Sequence, residues 1–101
     1  MEHVRIATYG IKQGSFQEIA EQAKSGLLRK FQDQPGFIRY GVADLGDKTC
    51  LSITLWETRK EADESVPVAA NWVRESIGDR VELRTTQVGD LAFFEGVPAK
   101  V

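Results

Sequence analysis

Trp72, with Asn71 before it and Arg74 two residues after it, forms the grouping in this sequence best suited to handling a small organic molecule. An indole offers a flat apolar wall and one N–H donor, and an amide adds a donor and an acceptor. A guanidinium can meet the negative charge of an enolate or carboxylate as it develops. Asn71, Trp72 and Arg74 are therefore the candidate catalytic residues. Tyr9, Arg39, Tyr40 and Trp56 are candidates for substrate binding: two phenols that can hold a hydroxylated aromatic, a cation beside one of them, and a second indole able to close a wall. Each has a plainer reading. The tryptophans can pack in the core or between subunits, the phenols can satisfy buried polar contacts, and Asn71 and the two arginines can be solvated surface groups.

No general base accompanies these residues. His3 lies near the amino terminus, and the acidic residues are scattered as a solvated surface would have them. Cys50 is the one cysteine, so an intrachain disulfide is excluded, and no base or orienting group stands near it in sequence to make it a nucleophile. Neither it nor the carboxylates show the spacing of a metal site. No cofactor is expected.

The side chains must be positioned by a small fold. A chain of 101 residues, 42% hydrophobic and 28% charged, supplies one modest core and suits a single domain over residues 1–101. A formal charge of −2 gives little attraction for phosphate, and neither a phosphate loop nor a dinucleotide fingerprint is present, so nucleic acid is not an expected partner. No apolar run has membrane-spanning length and the amino terminus does not read as a secretory signal, so a membrane is not expected either and the cytoplasm is the default location.

Period-two alternation places Val4, Ile6 and Thr8 on one side of a first strand and Arg5, Ala7 and Tyr9 on the other. Ser15, with Glu18 three residues on, marks a helix start; Phe16, Ile19, Ala23, Leu27 and Phe31 then recur at helical spacing, with Gly26 as a weak point inside. Pro35-Gly36 ends that helix. Two strands follow, Phe37 to Asp44 and Thr49 to Trp56, joined through Leu45-Gly46-Asp47-Lys48; in the second, Cys50, Ser52, Thr54 and Trp56 share one face and Leu51, Ile53 and Leu55 the other. Thr58 and Glu61 cap a second helical region with an apolar stripe of Ala62, Val66, Ala69, Val73 and Ile77, and Pro67 is expected to break or kink it. Val81 to Val88 is a fourth strand, and Leu91 to Phe94 a short tail strand whose adjacent rings, Phe93 and Phe94, are hard to hide on one face. The β-α-β-β-α-β order is that of an α+β, ferredoxin-like split βαβ domain built on an antiparallel sheet.

With these elements in place, residues 3 to 97 resemble the dimeric α+β barrel superfamily, in particular the antibiotic-biosynthesis monooxygenase-like domains. The resemblance rests on the Val4 to Tyr9 strand, the Phe16 to Phe31 helix, Pro35-Gly36-Phe37, the Leu51 to Glu57 strand and the extended Glu82 to Phe94 region. It implies a homodimer whose sheets meet and a small cavity between sheet and helices in each subunit. Some relatives oxidise aromatic polyketides or quinol-like compounds with oxygen and without metal or flavin, and others degrade haem through a helical histidine with nearby Asn and Trp. Asn71 and Trp72 invite that comparison, but no histidine lies between Leu51 and Val101, which disfavours the haem chemistry. The resemblance thus implies a cofactor-independent oxygenase acting on a small quinol, aromatic or polyketide-like substrate. The alternative is a non-catalytic ligand-binding or structural homodimer of the same fold.

Overall fold

The capping residues act as their types require. The backbone N–H of Glu18 donates to Ser15 Oγ at 3.2 Å, and that of Glu61 to Thr58 Oγ1 at 3.1 Å, each satisfying one of the orphan donors at a helix start. The computed structural model describes residues 2–96; Val97, the last residue of the resemblance, and the ends of the 1–101 domain lie outside them. The elements run β1 (His3–Ile11), α1 (Phe16–Gln22), a π-helical turn (Ala23–Leu27), α2 (Leu28–Gln32), β2 (Phe37–Gly46), β3 (Thr49–Trp56), α3 (Arg59–Ser76) and β4 (Val81–Asp90). The order is the expected β-α-β-β-α-β. None of these helices is long and apolar enough to cross a membrane.

The four strands form one antiparallel sheet in the order β2-β3-β1-β4. Gly46 pairs with Thr49, so the β2–β3 connection tightens to Asp47 and Lys48, both at positive φ (49° and 57°), the handedness that matches a twisted hairpin. The helices pack on the side of the sheet that carries Ala7, Tyr9, Cys50 and Trp56, where they contribute Ile19, Leu27, Phe31 and Trp72 to the core. Val4, Ile6, Leu51, Ile53 and Leu55 alternate onto the opposite side, outside the core the helices build, where Val4 and Leu55 are buried and Ile6, Leu51 and Ile53 half-buried.

Three expectations from the sequence need correction. Pro67 does not divide the second helical region: α3 runs unbroken through it. The proline is exposed, so water can serve the carbonyl its missing N–H leaves free, while buried Ala62, Ser65, Ala69 and Trp72 hold the helix on the sheet. The expected stripe holds at Ala62, Ala69 and Ile77, which are buried, while Val66 and Val73 are half-buried and Ser65 and Trp72 join it. Finally, Leu91 to Phe94 is not a strand. His3, the first residue of β1, already pairs with Asp90, so residues beyond Asp90 have no strand to lie against, and Phe93 and Phe94 are 77% and 63% exposed.

Candidate functional site

Between sheet and helices lies a cavity of about 30 Å³ whose lining residues with polar groups are Tyr9, Tyr40, Ser52, Cys50 and Trp72. Strand alternation produces this set. Tyr9 pairs with Cys50, and Tyr40 pairs with Thr54 two residues from Ser52, so all these side chains rise from the helix-covered face. Leu27, Ile77 and other aliphatic groups complete the walls. The space holds a water or two, roughly a fifth of the 150 Å³ or so that admits a benzene ring. A second hollow of about 230 Å³ lies along β2, lined by Ala20, Lys24, Leu28 and Gly41 and sharing Tyr40 and Val42 with the inner cavity. Tyr40 and Val42 thus border both hollows.

Trp72 closes the opposite wall. It is 7% exposed, and its indole lies so close to Gly26 that a Cβ built there would stand 2.7 Å from Nε1. The glycine that weakens the helix in sequence terms sits in the π-helical turn and leaves room for the ring.

The lining is electrically neutral. Burial pushes the Tyr40 phenol up to about 12, against smaller downward effects from the Ser52 hydroxyl and the Arg5 charge. Burial also raises the Cys50 thiol, and the charge on Asp44 adds to it. Both groups therefore stay protonated at neutral pH and act as donors rather than bases. No carboxylate or imidazole belongs to the lining. Among the described residues, no three His, Cys, Asp or Glu side chains stand together as metal ligands would.

Of the residues singled out from the sequence, the structure brings Tyr9, Tyr40 and Trp72 to the cavity and leaves four elsewhere. Asn71 and Arg74 are exposed, and Arg74 Nη2 donates to Asn71 Oδ1 at 2.7 Å. Each helical residue turns about 100° from the last, so with Trp72 and Val73 turned toward the cavity, Asn71 and Arg74 on either side face water. Arg39 is exposed and pairs with Leu55 on the face away from the helices. Trp56 is fully buried and packs edge-on against Phe31 and Phe37 with ring centroids 5.7 and 5.4 Å away; its Nε1 donates to Thr54 Oγ1 at 2.8 Å.

Arg5 was missed. It sits in central strand β1 on the helix-covered face, 2% exposed. The signal was available: Arg5 shares its parity with Ala7 and Tyr9, and once that side is known to be the covered one, a charge there demands an explanation.

No protein-family model matches the sequence, and no curated protein matches it either. The fold does match solved structures. SnoaB of Streptomyces nogalater, a cofactor-independent oxygenase, is 13% identical with a TM-score of 0.69 over 97% of this chain and 98% of its own. NE2512 of Nitrosomonas europaea, of unknown function, is 13% identical with a TM-score of 0.74 over 98% and 96%. A candidate antibiotic biosynthesis monooxygenase of Chloroflexus aurantiacus is 13% identical with a TM-score of 0.64 over 97% and 100%. At these identities the shared property is the fold.

Proposed function

We propose, from the dimeric α+β barrel fold that this chain shares with the antibiotic-biosynthesis monooxygenase-like domains, that it is a single-domain homodimer that binds a compact hydroxylated aromatic or polyketide-like ligand between sheet and helices. The observation that carries the reading is the convergence of Tyr9, Tyr40, Ser52 and Trp72 on one apolar-walled cavity, which offers hydroxyl donors and a flat ring in the proportions of a small-molecule site. An aromatic ligand is larger than the cavity, so binding requires its lining, such as Tyr40 and Val42 or the Trp72 wall, to move. Movement of Tyr40 and Val42, which border both, would enlarge the cavity toward the groove along β2. The homodimer is supported by the apolar side chains of Ile6, Leu51 and Ile53, which are only half-buried on the sheet face outside the helix-packed core.

Fluorescence tests the binding reading. In a Trp56→Phe variant Trp72 is the sole indole, and a panel of quinols and phenols should quench it saturably. A panel that gives no saturable quenching, together with no ordered ligand in soaked crystals, sinks the site. Light scattering over a dilution series tests assembly, and a monomer persisting at micromolar concentration sinks the homodimer.

A second reading, oxygenation without metal or flavin, is favoured by the match to SnoaB over nearly the whole of both chains. The lining holds no base, so this reading suits a substrate acidic enough to lose its proton to solvent. The donors would then stabilise the resulting enolate or phenolate. A ring methylene would give up two hydrogens and gain one oxygen atom as a carbonyl, and the other oxygen atom would leave as water. Substrate-dependent oxygen uptake by metal-free and flavin-free protein, with labelled oxygen in the product, is the expected result. Saturable binding without uptake leaves the binding reading standing alone.

A further inference from the structure

We infer that the groove along β2 is the seat of the ligand's ring, that the inner cavity takes only its hydroxyl end, and that Lys24 meets an anionic group on the ring, so that the ligand is a hydroxylated aromatic carboxylate. The inference rests on the pocket reading above and adds the position and the charge of what is bound.

Size separates the two hollows. About 30 Å³ is room for a water-sized group such as one hydroxyl, whereas about 230 Å³ exceeds the 150 Å³ or so that admits a benzene ring. Tyr40 and Val42 line both, so a ring in the groove rests against the same two side chains that wall the inner cavity. The Tyr40 hydroxyl can donate to an oxygen on that ring.

The walls of the groove follow from the periods of the elements that build it. Ala20, Lys24 and Leu28 recur at every fourth residue through α1, the π-helical turn and α2, which sets them in one row along that helical segment. Tyr40 and Val42 rise from one face of β2, with Gly41 between them adding backbone and no side chain. β2 is an edge strand, so no further strand of the sheet lies beyond this groove.

The charge of the lining is one-sided. Ala20, Leu28, Val42 and the ring of Tyr40 make it apolar, Lys24 is its one charged residue, and it includes no carboxylate. Lys24 is exposed and takes part in none of the ion pairs among the described residues; Glu21, three positions earlier, is outside the lining. A lysine stem lies along apolar surface while its ammonium stays at the water's edge. A carboxylate on a ring held in the groove therefore keeps part of its hydration as it meets Lys24, and avoids the desolvation that makes a fully buried ion pair costly. A neutral ligand of the same shape leaves the ammonium with water alone.

The test titrates two probes into the intact protein by calorimetry: 4-hydroxybenzoate and 4-hydroxybenzamide, the same ring and hydroxyl with and without the charge. Wild type should bind the benzoate roughly three- to fivefold more tightly, the scale of one exposed ion pair, and the difference should shrink as salt is raised. Lys24→Met should bind the two alike, and Lys24→Arg should keep the preference. Methyl resonances locate the ring: those of Ala20 and Leu28, which line only the groove, should shift more than those of Leu27 and Ile77, which line only the inner cavity. Leu28→Trp, which projects a large ring into the groove, should abolish binding of both probes, and Ala20→Leu narrows the same groove should Leu28→Trp not fold. Equal binding by wild type, or a preference that survives in Lys24→Met, overturns the role of Lys24 and leaves the pocket reading intact. Shifts confined to Leu27 and Ile77, or undiminished binding in the folded blocking variants, overturn the seat in the groove, again with the pocket reading intact. Failure of both probes overturns this inference, and failure of the whole quinol and phenol panel with them overturns the pocket reading as well.

Discussion

Gly26 and Trp72, 46 positions apart in sequence, are in direct contact: the indole occupies the space a Cβ on Gly26 would need, 2.7 Å from Nε1 and 2.8 Å from Cζ2. The ring is a rigid group at the cavity wall, so it cannot yield by bending an end.

Gly26→Ala therefore sets two effects against each other. Alanine gains up to about 1 kcal/mol of helix propensity, and forcing a methyl against a packed ring costs roughly 1–3 kcal/mol. The expected outcome of urea unfolding is a net loss of about 1 kcal/mol, with a changed Trp72 fluorescence in the folded state. A stabilised variant with unaltered fluorescence would mean that the ring moves aside freely.

Trp56 belongs to the core rather than to the ligand site. Trp56→Ala removes a fully buried ring that touches Phe31 and Phe37 and should cost about 3–5 kcal/mol. Trp56→Phe keeps most of the packing but leaves Thr54 Oγ1 without its indole donor, and should cost less. Ligand binding by a folded Trp56→Phe variant should match wild type; a large loss of affinity would return Trp56 to the site.

The Tyr40 phenol predicts alkaline behaviour. Its pKa in the fold is about 12 against an ordinary 10.0, a raised value, so its contribution to stability is fully present below pH 10 and is lost as pH rises toward 12. Wild type should lose stability through that window more steeply than Tyr40→Phe, as measured by urea unfolding at stepped pH. Parallel curves for the two proteins would show that Tyr40 is not held in a desolvated place.

At the other end of β1, His3 Nδ1 and Asp90 Oδ1 are 2.7 Å apart, with Arg59 Nη1 3.4 Å from the same oxygen. The hydrogen bond from His3, then the charges of His3 and Arg59, hold the Asp90 carboxyl below its usual 3.8. A lowered carboxyl pKa gives stability that is present above the ordinary value and lost as pH falls through the depressed one. Asp90→Asn should accordingly be less stable than wild type at neutral pH, by a small margin because the pair is exposed. The gap should narrow in acid below 3.8. A gap constant across the acid range would remove this pair from the protein's pH dependence.

The sequence by itself determined the order of elements and most of their ends, because those depend on neighbours in the chain. Ser15 with Glu18, and Thr58 with Glu61, cap helices through bonds spanning three residues. Alternation likewise sorted Cys50, Ser52, Thr54 and Trp56 from Leu51, Ile53 and Leu55. Which side of the sheet the helices would cover was not legible, since both faces carry apolar side chains. Only tertiary packing put Arg5 and Tyr9 on the inside. The same packing carried α3 through Pro67 and turned Trp72 inward, leaving Asn71 and Arg74 in water, because rotation about a helix separates residues that sequence places together. The cavity itself joins residues from β1, β2, β3, the π-helical turn and α3. Its membership follows from strand register and from the fit of one indole against one glycine, long-range relations that no local pattern records.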